Sequence, residues 1–481
     1  MTRERLNCIR KRSFLLSVVT AVGMYATACA SAPLPESAMS VMTAQGRLVP
    51  LDSMTVAYDV AGVHVIQRSN FANDAVAVNL YLLGGTRQLT ASTQGMESLL
   101  LSDGAFGTAR YPGAAWRTAW GLTGSHLILD PEMDWTLYGF RGIRQEFVSS
   151  WDAFADRLMH PTLSSADLPI VRARLIAEIR DAGDNPDNYV TRLADSIAFA
   201  GHPYGLEPGG TISTLTALDS ASVARYASDQ IVKSRMLLVV VGNLSREEVV
   251  SAVSRTLASL PEGSYTWSLP ISPPAFTPSA TLVQRTIPTN YVVGEFRGPP
   301  ASSPEAPAFR VTLALLSSRL NGTIRDQRSL SYSTSAIWIE RGTTSGAIYV
   351  STGSPDAAIP LMADEMRFLK YMPSYVNLHD FTDQFIVDYF GANMTDEAQA
   401  DFLARAQLYH GDFRTASRAM ENLRQVSASD LRESAKRYFR DIRFVYLGDT
   451  TQVQRADFAG FADDSIRSRP GTLGSQRSGH P

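Results

Sequence analysis

Twice along the chain, a Ser-initiated helical stretch runs into a short apolar strand that closes on glycine followed by an amide or an acid. Ser220-Ala-Ser-Val leads to Leu237-Leu-Val-Val-Val-Gly242-Asn243, and Ser427-Ala-Ser-Asp leads to Phe444-Val-Tyr-Leu-Gly448-Asp449. The copies lie about 206 residues apart, with 22 and 21 residues from the first Ser to the Gly. A helix feeding a buried strand is a complete structural unit, so two copies imply a duplicated domain. The Pro-rich run containing Pro261, Pro270, Pro273, Pro274 and Pro278 is the natural linker between them. The expected fold is therefore α+β: two homologous domains from duplication, each an antiparallel-rich sheet covered by helices, over 50–260 and 281–461, joined by a linker at 261–280.

At 481 residues the chain exceeds one ordinary core. With 44% hydrophobic and 19% charged residues it reads as globular. The net charge of −3 is near balance and no basic run lies beyond the N-terminus, so nucleic acid is not an expected partner. Residues 1–28 read as a secretory signal peptide: Arg3, Arg5, Arg10, Lys11 and Arg12 precede an apolar run from Phe14 to about Ala26. Small residues before Cys29 resemble a bacterial lipobox, which makes Cys29 a candidate lipid attachment site, while Ala26-x-Ala28 also fits an ordinary signal-peptidase site. These features place the protein in a bacterial cell envelope, in the periplasm, with a possible lipid anchor. Cys8 and Cys29 are the two cysteines and Cys8 leaves with the leader, so no disulfide is expected and the domains depend on their cores. Residues 29–49 read as a tether and 462–481 as a disordered Ser/Gly/Arg-rich tail.

Alternating or apolar runs predict strands at Thr55–Val60, Val63–Arg68 and Val76–Leu83, followed by a helix over Met96–Asp103. Trp116–Asp130 reads as strand-like, and helices are predicted over Trp151–Met159, Leu168–Asp181 and Asp187–Ala200. The second half offers strand material over Thr281–Phe296, a helix over Ala308–Leu320, a hairpin pair at Ser333–Glu340 and Gly346–Thr352, and a helix over Ile359–Tyr371. Two further helices are expected between Leu378 and His410. The seven histidines include no His-x-x-x-His pair, and His202, in a Gly- and Pro-rich loop, reads as a structural residue.

The stretch Gly95-Met-Glu-Ser-Leu-Leu-Leu-Ser-Asp-Gly-Ala-Phe-Gly-Thr108 follows an apolar run that ends in Gly84-Gly85. It resembles the zinc-binding segment of the insulinase, pitrilysin and mitochondrial processing peptidase family, where a helix carries His-x-x-Glu-His and then Gly-Thr. On that pattern Ser98 and Ser102 stand at the two His positions and Leu101 at the Glu position. In the inverted motif two imidazoles at i and i+4 bind Zn²⁺ and the Glu acts as general base. Serine hydroxyls are poor zinc ligands and Leu101 transfers no proton. The resemblance places the family's third ligand at Glu178, 76 positions after Ser102 (178 minus 102). One carboxylate cannot hold zinc, so Glu178 reads as a solvated helix residue and no metal or catalytic residue is expected in this chain.

A second segment, Ser318-Arg-Leu-Asn-Gly-Thr-Ile-Arg325-Asp-Gln-Arg-Ser-Leu-Ser-Tyr332, is similar to the family's second-half signature of Ser-Arg-Leu, Leu-Arg-Glu and Gly-Leu-Ala-Tyr. By position, Arg325 and Tyr332 match the Arg and Tyr that reach the metal site and bind the substrate's main chain. The resemblance spans about residues 50–460 and implies a half-clamshell that joins a zinc-bearing paralogue as a heterodimer enclosing a peptide chamber. Zinc would then sit in the partner, with Arg325 and Tyr332 contributed in trans to peptide cleavage. The rival reading is a structural or peptide-binding family member without a peptidase partner, and an autonomous peptidase with a rebuilt site is a third. The plain alternative for the segment is a turn with Arg325 paired to Asp326 and Tyr332 half-buried.

Overall fold

The computed structural model describes residues 54–373 and 378–462, together with a pair of short strands, β1 (Ser40–Met42) and β2 (Leu48–Pro50), within the expected tether. The expected leader over 1–28, Cys29 and the expected tail beyond Ala462 lie outside the described residues. The first half builds a six-stranded sheet from β3 (Thr55–Val60), β4 (Val63–Ser69), β5 (Ala75–Leu83), β6 (His126–Pro131), β7 (Trp135–Ile143) and β8 (Met236–Gly242). Its helices are α1 (Met96–Asp103), α2 (Ala114–Leu122), α3 (Phe147–Met159), α4 (Leu168–Asp184), α5 (Pro186–Ala198), α6 (Ile212–Ala217), α7 (Ser220–Gln230) and α8 (Arg246–Arg255). The second half builds a five-stranded sheet from β9 (Ser279–Gln284), β10 (Asn290–Pro300), β11 (Ser331–Ile339), β12 (Thr343–Thr352) and β13 (Arg443–Gly448). Its helices are α9 (Ala306–Leu320), α10 (Pro355–Lys370), α11 (His379–Ala392), α12 (Asp396–His410), α13 (Thr415–Arg424) and α14 (Ala428–Tyr438).

The two sheets share one topology. The first runs β3-β4-β8-β5-β7-β6, and the second, taken from its far edge, runs β9-β13-β10-β12-β11. In each, the strand that closes the half lies parallel to one neighbour and antiparallel to the other: β8 with β4 and β5, β13 with β9 and β10. The repeat seen in the sequence is thus α7–β8 and α14–β13, with β3 an addition to the first sheet. Both helices start in a capping box, Asp219 with Ser222 and Ser427 with Asp430, so the first copy is capped one residue before Ser220. The closing glycines are also alike: Gly242 and Gly448 have φ of 147° and 154°. A Cβ there would collide with Ala75 or Asn290, each the first residue of the adjacent strand.

The expected helical cover is present, but part of it is exchanged. One face of the first sheet packs against its own helices through Leu99, Trp151, Phe154, Val171, Val223 and Val249. Its other face, with Ile66, Tyr81, Leu237, Val239 and Val241, is covered by α12 of the second half through Leu403, Ala404 and Tyr409. Reciprocally, Val190 and Ala194 of α5 from the first half pack on Val293, Ala347, Val445 and Leu447 of the second sheet.

Two local expectations are corrected. Residues 116–130 are a helix and then a strand: α2 ends at Leu122 and β6 begins at His126. The whole segment reads as strand-like, yet Trp116 and Trp120 stack at 5.4 Å across one helical turn and Arg157 lies 4.7 Å from the Trp116 ring centre. Tertiary packing here overrides β propensity. The strand material over 281–296 is split into β9 and β10 by a loop containing Pro288.

Asp134, beside the start of β7 and almost fully buried, gathers the halves. It accepts from Tyr204 Oη at 3.0 Å, Tyr409 Oη at 2.9 Å and the Gly342 amide at 2.8 Å, and pairs with Arg87 Nε at 3.4 Å. The 261–278 segment is held against the same region, with Trp267 donating to Leu408 O and Arg87 to Ser268 O. Removing the carboxylate strands several buried donors, which costs far more than losing one hydrogen bond. We expect Asp134→Ala to destabilise the fold by about 3–5 kcal/mol, and Tyr409→Phe by about 1–2 kcal/mol, measured by denaturant unfolding.

Candidate functional site

The two signature segments occupy matching places in the duplicated topology. Each lies between the strand at the middle of its sheet and the far edge strand: α1 between β5 and β6, α9 between β10 and β11. Gly95, with φ of 86°, starts α1, and Cβ at this position would press on Gly210, so the helix is seated tightly on the loop before α6. Ser98, Leu101 and Ser102 are all buried. Ser98 Oγ donates to Pro208 O at 2.9 Å, and Leu101 joins the hydrophobic core. Glu178 is well exposed on α4, 3.7 Å from Arg174 Nε, one turn earlier. Among the described residues no group of three or more His, Cys, Asp or Glu comes together as metal ligands would. The residues present do not fit the zinc that the family resemblance implies.

The residue that organises α1 is its neighbour, Glu97, which sequence reasoning passed over. Glu97 pairs with the buried Arg235 at 3.0 Å and also accepts from Thr136 Oγ1 and Tyr226 Oη. Arg235 donates further to Leu83 O and Gln230 O, so one guanidinium ties α1 to β5 and to the end of α7. Burial pushes the Tyr226 hydroxyl up, and the Glu97 carboxylate adds to this. A Glu in a short helix gives no sign that its partner is 138 positions away.

Asp103, at the last turn of α1, is also buried, and its Oδ1 has no hydrogen-bond partner among the described residues. Burial, with Asp167 nearby, raises its carboxyl to about 6, while a backbone hydrogen bond from Leu163 opposes the shift. A raised folded-state value favours the neutral acid. That stability is fully present below about pH 4 and is lost as pH rises through about 6. Asp103→Asn should therefore be more stable than the parent at pH 7.5, on the order of 1–2 kcal/mol after discounting solvent screening, and equal to it below about pH 4. Unfolding midpoints across pH 3.5–8 measure this.

The second segment displays its two residues through two backbone irregularities. Beyond α9 the chain continues into a π-turn over Asn321–Asp326, in which the Gln327 amide bonds to Gly322 O at 3.1 Å. Arg325 lies on this turn. The turn is anchored by Glu365 of α10, almost fully buried, which takes Arg319 at 2.6 Å and Thr323 Oγ1 at 2.8 Å. Tyr332 falls in a β-bulge: Ser331 pairs with Thr352 and Ser333 with Ser351, leaving Tyr332 as the extra residue of the edge strand β11. Bulges and π-turns re-aim side chains. The Tyr332 side chain is accordingly 80% exposed, not half-buried, and the Arg325 guanidinium carbon sits 5.3 Å from its ring centre. Arg325 Nε is 4.0 Å from Asp326, the outer limit of an ion pair. The result is a cation and a phenol side by side at a sheet edge, both donors suited to a peptide carbonyl.

Between them, Ser329 adopts φ of 53°. It stands where the family signature has Gly. A side chain in this left-handed region costs about 1 kcal/mol. Ser329→Gly should leave stability unchanged or raise it by up to about 1 kcal/mol, whereas Ser329→Val should lower it by more, both read from thermal unfolding. His202 is a loop residue: Nε2 lies 2.9 Å from Ile271 O, and Nδ1 accepts from the Tyr204 amide.

Residues 217–374 match the model of the peptidase M16 inactive domain. The chain is 23% identical over 184 residues to an uncharacterized zinc protease of Bacillus subtilis (strain 168), covering 38% of this chain and 45% of that protein. It is 21% identical over 378 residues to an uncharacterized zinc protease of Rickettsia bellii (strain RML369-C), covering 76% and 90%. Over 204 residues it is 20% identical to the mitochondrial-processing peptidase subunit beta of Caenorhabditis elegans, covering 41% and 43%. The chain thus spans about half the length of several relatives it matches. In fold it resembles the peptidase M16 inactive domain from Pseudomonas fluorescens, with a TM-score of 0.74 at 15% identity over 82% of this chain and 98% of that one. A chain of complex III2 from Candida albicans gives 0.74 at 16% identity, over 84% and 99%.

Proposed function

We infer the function from one premise: this chain belongs to the insulinase, or M16, peptidase family. Within that family we read it as a non-catalytic, substrate-positioning subunit of a heterodimeric zinc peptidase. The observation that carries this is the contrast between the paired segments. The first holds Ser98, Leu101 and Ser102 packed into a core, while the second presents Arg325 and Tyr332 together at an edge strand.

In this reading an extended peptide adds to the edge of β11, whose neighbour in the sheet is β12. Main-chain hydrogen bonds would hold it in register, as in other strand-addition complexes. The Arg325 guanidinium and the Tyr332 hydroxyl then meet a peptide carbonyl, orient it and stabilise negative charge that develops on its oxygen. The zinc and the general base come from a paralogous partner that carries His-x-x-Glu-His. The N-terminal segment suggests a bacterial envelope setting with the chain exported to the periplasm, and Cys29 as a lipid attachment point.

The alternative is a structural or peptide-binding protein with no peptidase partner. It draws on the packing around α1, where Ser98 donates to Pro208 O and Glu97 pairs with the buried Arg235.

Co-purification of the tagged chain from its own cells should bring down a zinc-containing partner, with peptide cleavage in the pair and none in the isolated chain. In that pair Arg325→Ala and Tyr332→Phe should each lower cleavage by roughly 10–100-fold while leaving the complex intact. An unaltered rate would refute the in-trans role, and recovery of the chain with no metallopeptidase partner would establish the alternative.

A further inference from the structure

Away from Arg325 and Tyr332, the second half contains a cleft of about 720 Å³ between the start of α9, the end of β11 and helices α11–α14. That is the size of a small-molecule site. Its charged lining is almost fully self-paired. Glu305 pairs with Arg437, Glu340 lies 3.9 Å from Arg405, Glu433 pairs with Lys436 at 3.1 Å, and Asp430 caps α14 through the Ser427 amide at 2.9 Å. Arg310 differs. Its guanidinium carbon lies 4.2 Å from the Trp338 ring centre and 4.4 Å from that of Tyr389, and among the described residues it forms no ion pair with a carboxylate. Stacking occupies the faces of a guanidinium and leaves its N–H donors in the plane, where the Tyr389 hydroxyl takes a share of them.

Two more donors belong to the wall of this cleft. Trp338 Nε1 and Ser434 Oγ are buried without a hydrogen-bond partner among the described residues, and Ser434 is 6% exposed. Unsatisfied buried donors call for an explanation, because each costs about 1–3 kcal/mol. Three donors, one of them cationic, suit an anionic ligand where Glu305 and Glu433 are held by cations and Asp430 by its helix cap, Glu340 alone having the more distant Arg405. Leu423, Val426 and Phe402 supply the apolar remainder of the lining.

We propose that this cleft binds the carboxylate of a ligand with an apolar body, the carboxylate seated on Arg310 with Trp338 Nε1 and Ser434 Oγ turned toward it. Such a carboxylate is carried by the C-terminus of an apolar peptide or by a free amphiphilic acid. The site does not depend on the split-peptidase reading, since it shares no residue with Arg325 and Tyr332.

The test is calorimetric titration of the purified full chain with acetyl-Ala-Ala-Leu, its C-terminal amide, and octanoate. The free-acid peptide or octanoate should bind, and the amide should bind at least about 10-fold more weakly, since a charge-assisted hydrogen bond is worth about 1.5–3 kcal/mol. Arg310→Gln should weaken binding by about 10-fold or more, and Trp338→Phe, which keeps the ring and removes the N–H, by a few-fold. Arg440→Gln, altering an exposed guanidinium that does not line the cleft, should change affinity little. Tighter binding of the peptide would assign the site to chain termini, and tighter binding of octanoate to free amphiphiles. Equal binding of acid and amide, unchanged affinity in the folded Arg310→Gln and Trp338→Phe variants, or no binding of either acid at millimolar concentration would overturn the proposal.

Discussion

The buried carboxylate of Asp134 is the constraint on which the arrangement of the two halves depends. Four donors from four separate parts of the chain converge on it: Arg87, Tyr204, the Gly342 amide and Tyr409. A buried charge is tolerable when it is paired and hydrogen-bonded, and strongly destabilising when it is not. The loop after α5, the β11–β12 turn and α12 must therefore all be in place at once. That requirement matches the exchange of helices between sheets, because α5 and α12 are the elements that cross. A second polar link, Arg341 to Asp195 at 2.9 Å, joins the same turn to α5. Beside it Glu295 is fully enclosed in the second sheet, its carboxyl pushed up by burial.

The same reasoning accounts for the contrast between the two signature segments. Both occupy the connection that leads to an edge strand, so duplication gave the fold two equivalent places for chemistry. In the first half that place is filled inward: Leu101 enters the core and Glu97 closes on Arg235. In the second it is opened outward by a π-turn and a bulge, with Glu365 holding the turn from beneath. Backbone irregularity concentrated at one short segment fits a site that displays side chains and not one that only packs them.

Much of the fold was legible because it is written in local pattern. The strands from Thr55 to Leu83, the helix at Met96–Asp103 and the hairpin of β11 and β12 follow from alternation, apolar runs and helix stops. The duplication was legible because the same cap, strand and closing glycine recur. Trp116–Asp130 was misread as one strand-like run because the contacts that make its first part a helix, the stacking of Trp116 on Trp120 and the cation of Arg157, exist only after packing. Glu97, Asp134 and Arg310 were not singled out for a similar reason: nothing within ten residues of any of them indicates what they will meet.

By itself, the sequence determined the α+β class, the order of elements, the duplication, and the chemical identity of positions 98, 101, 102, 325 and 332, because those depend on side-chain type and short-range periodicity. Only the tertiary structure decided that the helices are traded between sheets, that Tyr332 is turned outward while Ser98 is sealed in, and that Arg310 is stacked between Trp338 and Tyr389. These depend on pairs such as Asp134 and Tyr409, 275 positions apart, whose meeting is settled by the burial of whole sheet faces and not by any local propensity.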